Sequence, residues 1–289
     1  MRKYFLMPAF IILAVLRCYS HEVRAEGRGG VLASGDLVNL VPGSEVVIAA
    51  GVTEIAPYAF AENTNVVSVR FEEGSRLASV GEYAFMGCRN LAEIFFPEHG
   101  FALGESALRE CVSLRGVTFP KGIETLPRGL MSWCERLERV WLPSTLRRIG
   151  AHAFAYCGNL RDVAIPDGVE GIGSNAFNNC VSLQEIVIPA SVKELESYAF
   201  AECIALRSAV MPANDSLLGE LIFSGCLALE ELTELAPTPP AFDCGSFLCE
   251  PDEESFYNKC VLRVPEGSLG SYMDAPGWKL MRRMEGVSE

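Results

Sequence analysis

The chain has 289 residues, 49% of them hydrophobic and 21% charged, which excludes an intrinsically disordered polypeptide. Its 37 acidic and 24 basic residues give a net charge of −13, which also excludes a general nucleic-acid binder, since phosphate contact needs clustered Lys and Arg. Three histidines leave little for His-based catalysis or a His-rich metal site, and eleven cysteines are an odd number for a disulfide framework.

At the start of the chain, Arg2 and Lys3 precede an apolar run from Tyr4 to Leu16. A basic start followed by a short apolar stretch has the form of a secretory signal peptide. The run is shorter than the roughly 20 apolar residues that a membrane-spanning helix needs. Val23-Arg24-Ala25 puts small or apolar residues at the −3 and −1 positions of a cut after Ala25, so residues 1–25 are read as a signal peptide. A competing reading makes Cys18 the lipidated residue of a lipoprotein, against which stands Arg17, where such a motif wants a small residue. The expected product is exported, secreted or on the cell surface, with no membrane span in the mature chain. Four of the 24 basic and one of the 37 acidic residues lie in 1–25, which leaves the remainder at −16.

From there the chain is periodic. Cys88, Cys111, Cys134, Cys157, Cys180, Cys203 and Cys226 are spaced 23 apart. A leucine follows each by three residues (Leu91 through Leu229), an aliphatic residue by six (among them Ile94, Val117, Val140, Val163 and Ile186) and, in all but the last copy, a proline by nine (Pro97, Pro120, Pro143, Pro166, Pro189, Pro212). Three residues before each cysteine stands a large apolar residue: Phe85, Leu108, Met131, Phe154, Phe177, Phe200 and Phe223. An earlier copy has Phe60, with Asn63 in the cysteine position and a two-residue insertion before the next copy. One such unit cannot bury its own apolar face, whereas stacked units share a continuous core, so eight copies over 44–232 predict a solenoid. Leu-x-x-Ile-x-Ile alternates as a short strand closed by the proline. The Ala-Phe-x-x-Cys piece is expected to be one helical or 3₁₀ turn. Gly81, Gly104, Gly150, Gly173 and Gly219 recur where the coil turns, a place read as calling for permissive backbone.

The unit Asn159-Leu160-Arg161-Asp162-Val163-Ala164-Ile165-Pro166 through Ile172-Gly173-Ser174-Asn175-Ala176-Phe177-Asn178-Asn179-Cys180 resembles the BspA-like, or Treponema-type, leucine-rich repeat class, and the resemblance covers about two thirds of the chain. It implies an α/β solenoid: a right-handed leucine-rich repeat with a parallel β-sheet on its concave face, here of eight coils of about 23 residues capped at both ends. Residues 26–43 are read as the N-terminal cap. Residues 233–289, from Pro237-Thr238-Pro239-Pro240 to Trp278, are read as a C-terminal cap made of a strand and a short helix. The resemblance further implies a bacterial surface or secreted protein engaged in adhesion, or in binding host or neighbouring-cell proteins.

Several constellations read as structural. The cysteine column supplies one sulfur per coil, whereas a zinc site needs four converging ligands, so small buried thiols are expected there. Cys244, Cys249 and Cys260 lie outside the column; one disulfide among them would staple a loop, and the sequence does not choose the pair. Gly171-Ile172-Gly173-Ser174-Asn175-Ala176 mimics a dinucleotide fingerprint but lies within the repeat, with no strand–helix unit around it. No motif marks a catalytic set, a metal or a cofactor.

The informative surface is the outward row of the sheet. Seven residues after each cysteine come Phe95, Thr118, Trp141, Ala164, Val187 and Val210, with Arg70 in the first coil. A flanking row holds Arg139, Asp162 and Glu185. Large aromatics on a solvated sheet face predict a contact surface for another protein. The candidate contact residues are therefore Arg70, Phe95, Thr118, Arg139, Trp141, Asp162, Glu185, Val187 and Val210. The expected function is a non-enzymatic protein-binding module. A structural or self-assembling surface component is the alternative, and a glycan binder or exported enzyme is weaker still, although aromatics also stack on sugars.

Overall fold

The computed structural model describes residues 21–37, 39–213, 217–240 and 257–288. Cys18 with the rest of 1–20, Cys244 and Cys249 lie outside the described residues. The chain winds as a parallel β-solenoid with two rows of strands. The front row runs His21–Ala25, Ser44–Ile48, Val66–Phe71 and Glu93–Phe95; then Gly116–Thr118 and Arg139–Trp141; then Glu185–Val187, Ser208–Val210, Glu231–Thr233, Val261–Pro265 and Arg283–Val287. Two-residue strands form a second row: Val31–Leu32, Glu54–Ile55, Ser79–Val80 and Ala102–Leu103, followed by Thr125–Leu126, Arg148–Ile149, Gly171–Ile172, Glu194–Leu195 and Leu217–Leu218. One apolar core lies between the rows, and the repeat positions expected to point inward are buried, Leu108 and Met131 included, except Phe96 and Leu142, which are partly buried.

Alternation builds the front row. Ile186 points in and pairs with Ala209 and then Leu232, while Val187 between the inward positions is 60% exposed. The proline that follows opens a tight turn: Val169 N donates to Pro166 O and Val192 N to Pro189 O, each at 3.0 Å. The front row is not continuous. It falls into sections of four, two and five strands, and the expected strand over 162–164 makes no regular ladder although Val163 and Ile165 remain buried.

The Ala-Phe-x-x-Cys piece is neither a helix nor a 3₁₀ turn. Residues two before and two after the Phe position have positive φ in coil after coil: His152 (57°) and Tyr156 (63°), Asn175 (57°) and Asn179 (59°), Tyr198 and Glu202 (both 60°). Left-handed backbone alternating with right-handed aims successive N–H groups in different directions. Ala153, Ala155 and Cys157 donate back within their own turn at 3.2 Å, whereas His152, Phe154 and Tyr156 donate to Ser174, Ala176 and Asn178 of the next coil at 2.9, 2.8 and 2.7 Å. The left-handed residues cost roughly 1 kcal/mol each. Cross-coil bonds and burial of the side chain between them offset that cost, since a fully buried Phe contributes about 1.5–3 kcal/mol. The phenyl rings stack along the axis, with centroids of Phe154, Phe177 and Phe200 at successive spacings of 5.2 and 5.1 Å.

The recurring glycines have a different cause from the one expected. Gly81, Gly104, Gly150, Gly173 and Gly219 do not take positive φ. They lie where one coil presses on the one before: a Cβ on Gly173 would stand 2.5 Å from Ala151 N, and one on Gly150 would stand 2.6 Å from Leu126 O. Close approach, not backbone freedom, excludes a side chain there.

The seven column cysteines are free and buried. Each thiol donates to the carbonyl at the Phe position of the preceding coil, from 3.0 Å for Cys88 to Phe60 O to 3.3 Å for Cys203 to Phe177 O. Burial raises their pKa, to about 12 for Cys88 and Cys134, so the nucleophilic thiolate is suppressed. In the coil before Cys88, Asn63 takes the cysteine position and accepts a bond from Asn65 N at 2.9 Å, within its own turn.

Strand pairing continues beyond the eight predicted coils at both ends, making eleven front strands among the described residues. Residues 21–25, read from the sequence as the end of the leader, pair in register with Ser44–Ile48, and Val31–Leu32, in the span read as a cap, pairs with Glu54–Ile55. These terminal coils keep the alternating strand but lack Phe-x-x-Cys, the signature on which the count rested. At the other end Val261–Pro265 and the short helix Leu269–Asp274 are joined by a further strand, Arg283–Val287. Tyr272 and Trp278 lie buried, edge to face at 5.4 Å, and anchor the end by donating to Ala236 O at 2.8 Å and to Pro240 O at 3.0 Å. Glu234 is enclosed beside them, 1% exposed, with one carboxyl oxygen accepting from Ala236 N at 3.0 Å.

Two outcomes are expected. The folded protein resists iodoacetamide at the seven column positions, and after denaturation without reductant all seven are alkylated; mass spectrometry of the peptides reads both, and paired column cysteines would contradict it. Burial also raises the Glu234 carboxyl from 4.5 to about 7. A carboxyl with a raised native pKa stabilises the fold fully below its unfolded value and loses that contribution as pH rises through the native one. Stability therefore falls by about 3 kcal/mol between pH 4.5 and pH 7–8. Glu234→Gln flattens this slope in denaturant melts run across that range.

Candidate binding face

The outward side of the front sheet is set by parity: side chains one residue from the buried row point to solvent. Parallel pairing then stacks equivalent residues in columns. Arg70 stands beside Phe95, Thr118 beside Trp141, and Val187 beside Val210. In the neighbouring column Gly116 stands beside Arg139, and Glu185 beside Ser208. Phe95 is 57% exposed and Trp141 50%, large values for aromatic rings on a sheet with a buried side available to them.

Two local causes turn this pair into a groove. The front ladder is interrupted between Glu93–Phe95 and Gly116–Thr118, where the sections of four and two strands meet. The residue beside Arg139 is a glycine, and the Trp141 ring leans across it: a Cβ on Gly116 would stand 3.2 Å from Cζ3 of Trp141. The result is a groove of about 680 Å³ lined mainly by apolar surface, with Phe95, Phe96, Thr118, Phe119 and Trp141 on its walls and Arg115, Lys121, Glu93 and Glu98 at its margins. Its floor is rigid, because Phe96 packs against Phe101, Phe119 and Phe71 with centroids at 5.0, 6.0 and 6.2 Å.

The nine residues singled out from the sequence do not form one site. Phe95, Thr118 and Trp141 converge on the groove, with Arg139 exposed in the adjacent column and making no ion pair among the described residues. Arg70 reaches the other way, bonding Glu22 at 2.7 Å, and lines a neighbouring hollow with Phe95. Asp162, Glu185, Val187 and Val210 lie farther along the stack, at and beyond the irregular rung, and line no part of the groove. Sequence reasoning missed Phe96, Arg115 and Lys121. Phe96 occupies an inward repeat position, but it is only partly buried because the ladder opens beside it. The signal for the other two lay in one coil having basic residues on both sides of its strand, one before Gly116 and one after Pro120. A stacked pair was also missed on the back turns, Trp133 and Tyr156 at 3.9 Å, both at left-handed positions that aim them outward.

Chemically the groove can enclose an apolar side chain and bond polar groups at its margins. It contains no nucleophile paired with a base. Among the described residues no group of three or more His, Cys, Asp or Glu is placed to hold a metal ion. Glu234, with its raised pKa, is sealed beneath the C-terminal strands, far from solvent. His152, lowered by burial and by Arg128, lies on the back turns. Among the described residues no helix is long and apolar enough to cross a membrane.

Comparisons with known proteins agree with this architecture. The family model described as BspA type leucine rich repeat region matches residues 42–157 and 124–236, in six copies. A search of curated protein sequences found no match. Among solved structures, the fold is similar to that of a leucine-rich repeat protein from Bacteroides ovatus, at 24% identity and a TM-score of 0.53 over 78% of this chain and 64% of that one. It is also similar to the pneumococcal vaccine antigen PcpA, at 14% identity and a TM-score of 0.51 over 92% of this chain and 85% of that one. A leucine-rich repeat protein of T. pallidum aligns at 26% identity with a TM-score of 0.44, over 73% and 83%. With the family model covering well over half of its length, the chain belongs to the BspA-type leucine-rich repeat family.

Proposed function

We propose that this protein is an exported, non-enzymatic binding module that recognises another protein through the outward side of its front sheet, with the groove between Phe95 and Trp141 as the centre of contact. The observation that carries the reading is the pair of half-exposed aromatics flanking a preformed apolar groove on a sheet whose other face is the core. Interfaces draw most of their affinity from a few aromatic or Arg anchors that become desolvated on contact. Here the anchors are held by a stacked scaffold, so little side-chain or backbone ordering opposes binding. Membership of a leucine-rich repeat family supports protein interaction as the purpose of that face. The basic, apolar start of the chain supports export, and with it adhesion or contact with a host or neighbouring cell.

A pull-down with residues 21–289 identifies the partner, and binding kinetics then test the site. Trp141→Ala is expected to weaken that partner's affinity about 30-fold, the size of a hot-spot loss of ~2 kcal/mol, with an unchanged melting temperature because the ring packs on no buried element. Gly116→Val, which pushes the Trp141 ring from its place, weakens binding in the same direction. Unchanged affinity in both variants would overturn the assignment of the groove.

A further inference from the structure

We infer that export processing leaves His21–Ala25 on the protein, so that the cut falls at or before the Ser20–His21 bond and not after Ala25. The inference rests on the export reading proposed above. The five residues are an integral rung of the front sheet. They pair one to one with Ser44–Ile48, Ala25 is buried, and Ala25 O accepts from Ala49 N at 3.0 Å. Their outward charges are fastened two coils away. Arg24 Nε bonds Glu72 at 2.5 Å, and the other oxygen of that carboxylate accepts from Ala50 N at 3.0 Å. Glu22 bonds Arg70 at 2.7 Å.

The alternative edge would be a poor one. Without residues 21–25 the first strand is Ser-Glu-Val-Val-Ile, in which Val46, Val47 and Ile48 are all buried, Val47 lying at an outward position alongside Arg24. Removing the rung bares three consecutive apolar residues and a row of unpaired backbone groups, the pattern that invites strand-to-strand aggregation. His-Glu-Val-Arg-Ala, with a charge at both outward positions, is instead the composition of a protected edge.

The bond before this strand meets the requirement for a leader peptidase. Cys18 and Ser20 are small residues at −3 and −1, four residues from the end of the apolar run at Leu16. Hydrolysis there consumes one water, leaving a carboxylate on Ser20 and an amino group on His21. Lipidation with a cut before Cys18 would keep the strand as well.

The test uses the full chain produced in a host that secretes it, with intact-mass measurement and N-terminal sequencing of the exported product. A start at His21, or at a lipid-bearing Cys18, is expected; a start at Glu26 overturns the inference. In parallel, chains beginning at His21 and at Glu26 are made without a leader. The shorter chain is expected to melt about 5 °C lower or more, and to exchange amide hydrogens faster over 44–48. Equal melting and equal protection would show that the strand contributes nothing and would overturn the inference independently. A full chain that stays inside the cell uncut defeats the export reading, and the cut site with it, while the comparison of the two shorter chains still decides whether residues 21–25 belong to the fold.

Discussion

The structure depends on one constraint: the backbone of each coil must present the same groups, in the same places, to the coil on either side. On the back of the solenoid this is enforced residue by residue. Alternate N–H groups of the turn around each Phe position bond forward to the next coil, and those between bond within the turn. The 25-residue step from Phe60 to Phe85 keeps both sets, Phe60 N donating to Ala84 O at 2.7 Å, because its two extra residues lie outside this turn. Glycine stands at five of the eight points where coils come closest, a flat ring stacks at most Phe positions, and a small side chain with a donor fits at the cysteine. The thiol column is thus a hydrogen-bonded ladder in the core. In such a place burial makes sulfur inert by raising the pKa of every member described there.

Such a scaffold separates what must be constant from what is free to vary. Inward positions carry the core packing, while outward positions on the front sheet carry little of it, so their chemistry is open to recognition. The same logic explains where the groove forms. A glycine among the outward residues and an interruption of the ladder cost the core nothing, because the inward partners Ile94 and Val117 remain buried across the break. The ends face the opposite problem, an exposed ladder. The first and last strands both put charged residues at their outward positions, and the last coil is closed further by the buried Tyr272 and Trp278.

Much of this was legible in the sequence because a repeat multiplies a weak signal. One Leu-x-x-Ile-x-Ile segment is an ambiguous short strand; seven in phase define a solenoid, its inward rows and its outward columns. Phe95 and Trp141 could therefore be placed on one face from arithmetic alone. What was not legible lay where the signature stops. The terminal coils keep only alternation, and the back turn follows left-handed backbone that Tyr, Glu and Trp rarely adopt.

The sequence by itself determined the period, the buried columns and the parity of each strand, because these follow from a side-chain alternation that any stacked coil must obey. Only the tertiary structure decided that the turns alternate in handedness, that the glycines answer to contact and not to torsion, and that Arg70 turns toward Glu22 while Trp141 leans over Gly116 to shape a groove with Phe95. The reason is that each of these depends on the distance between residues of different coils. The spacing of letters along a chain records which residues are equivalent, but not how closely the backbones that carry them approach.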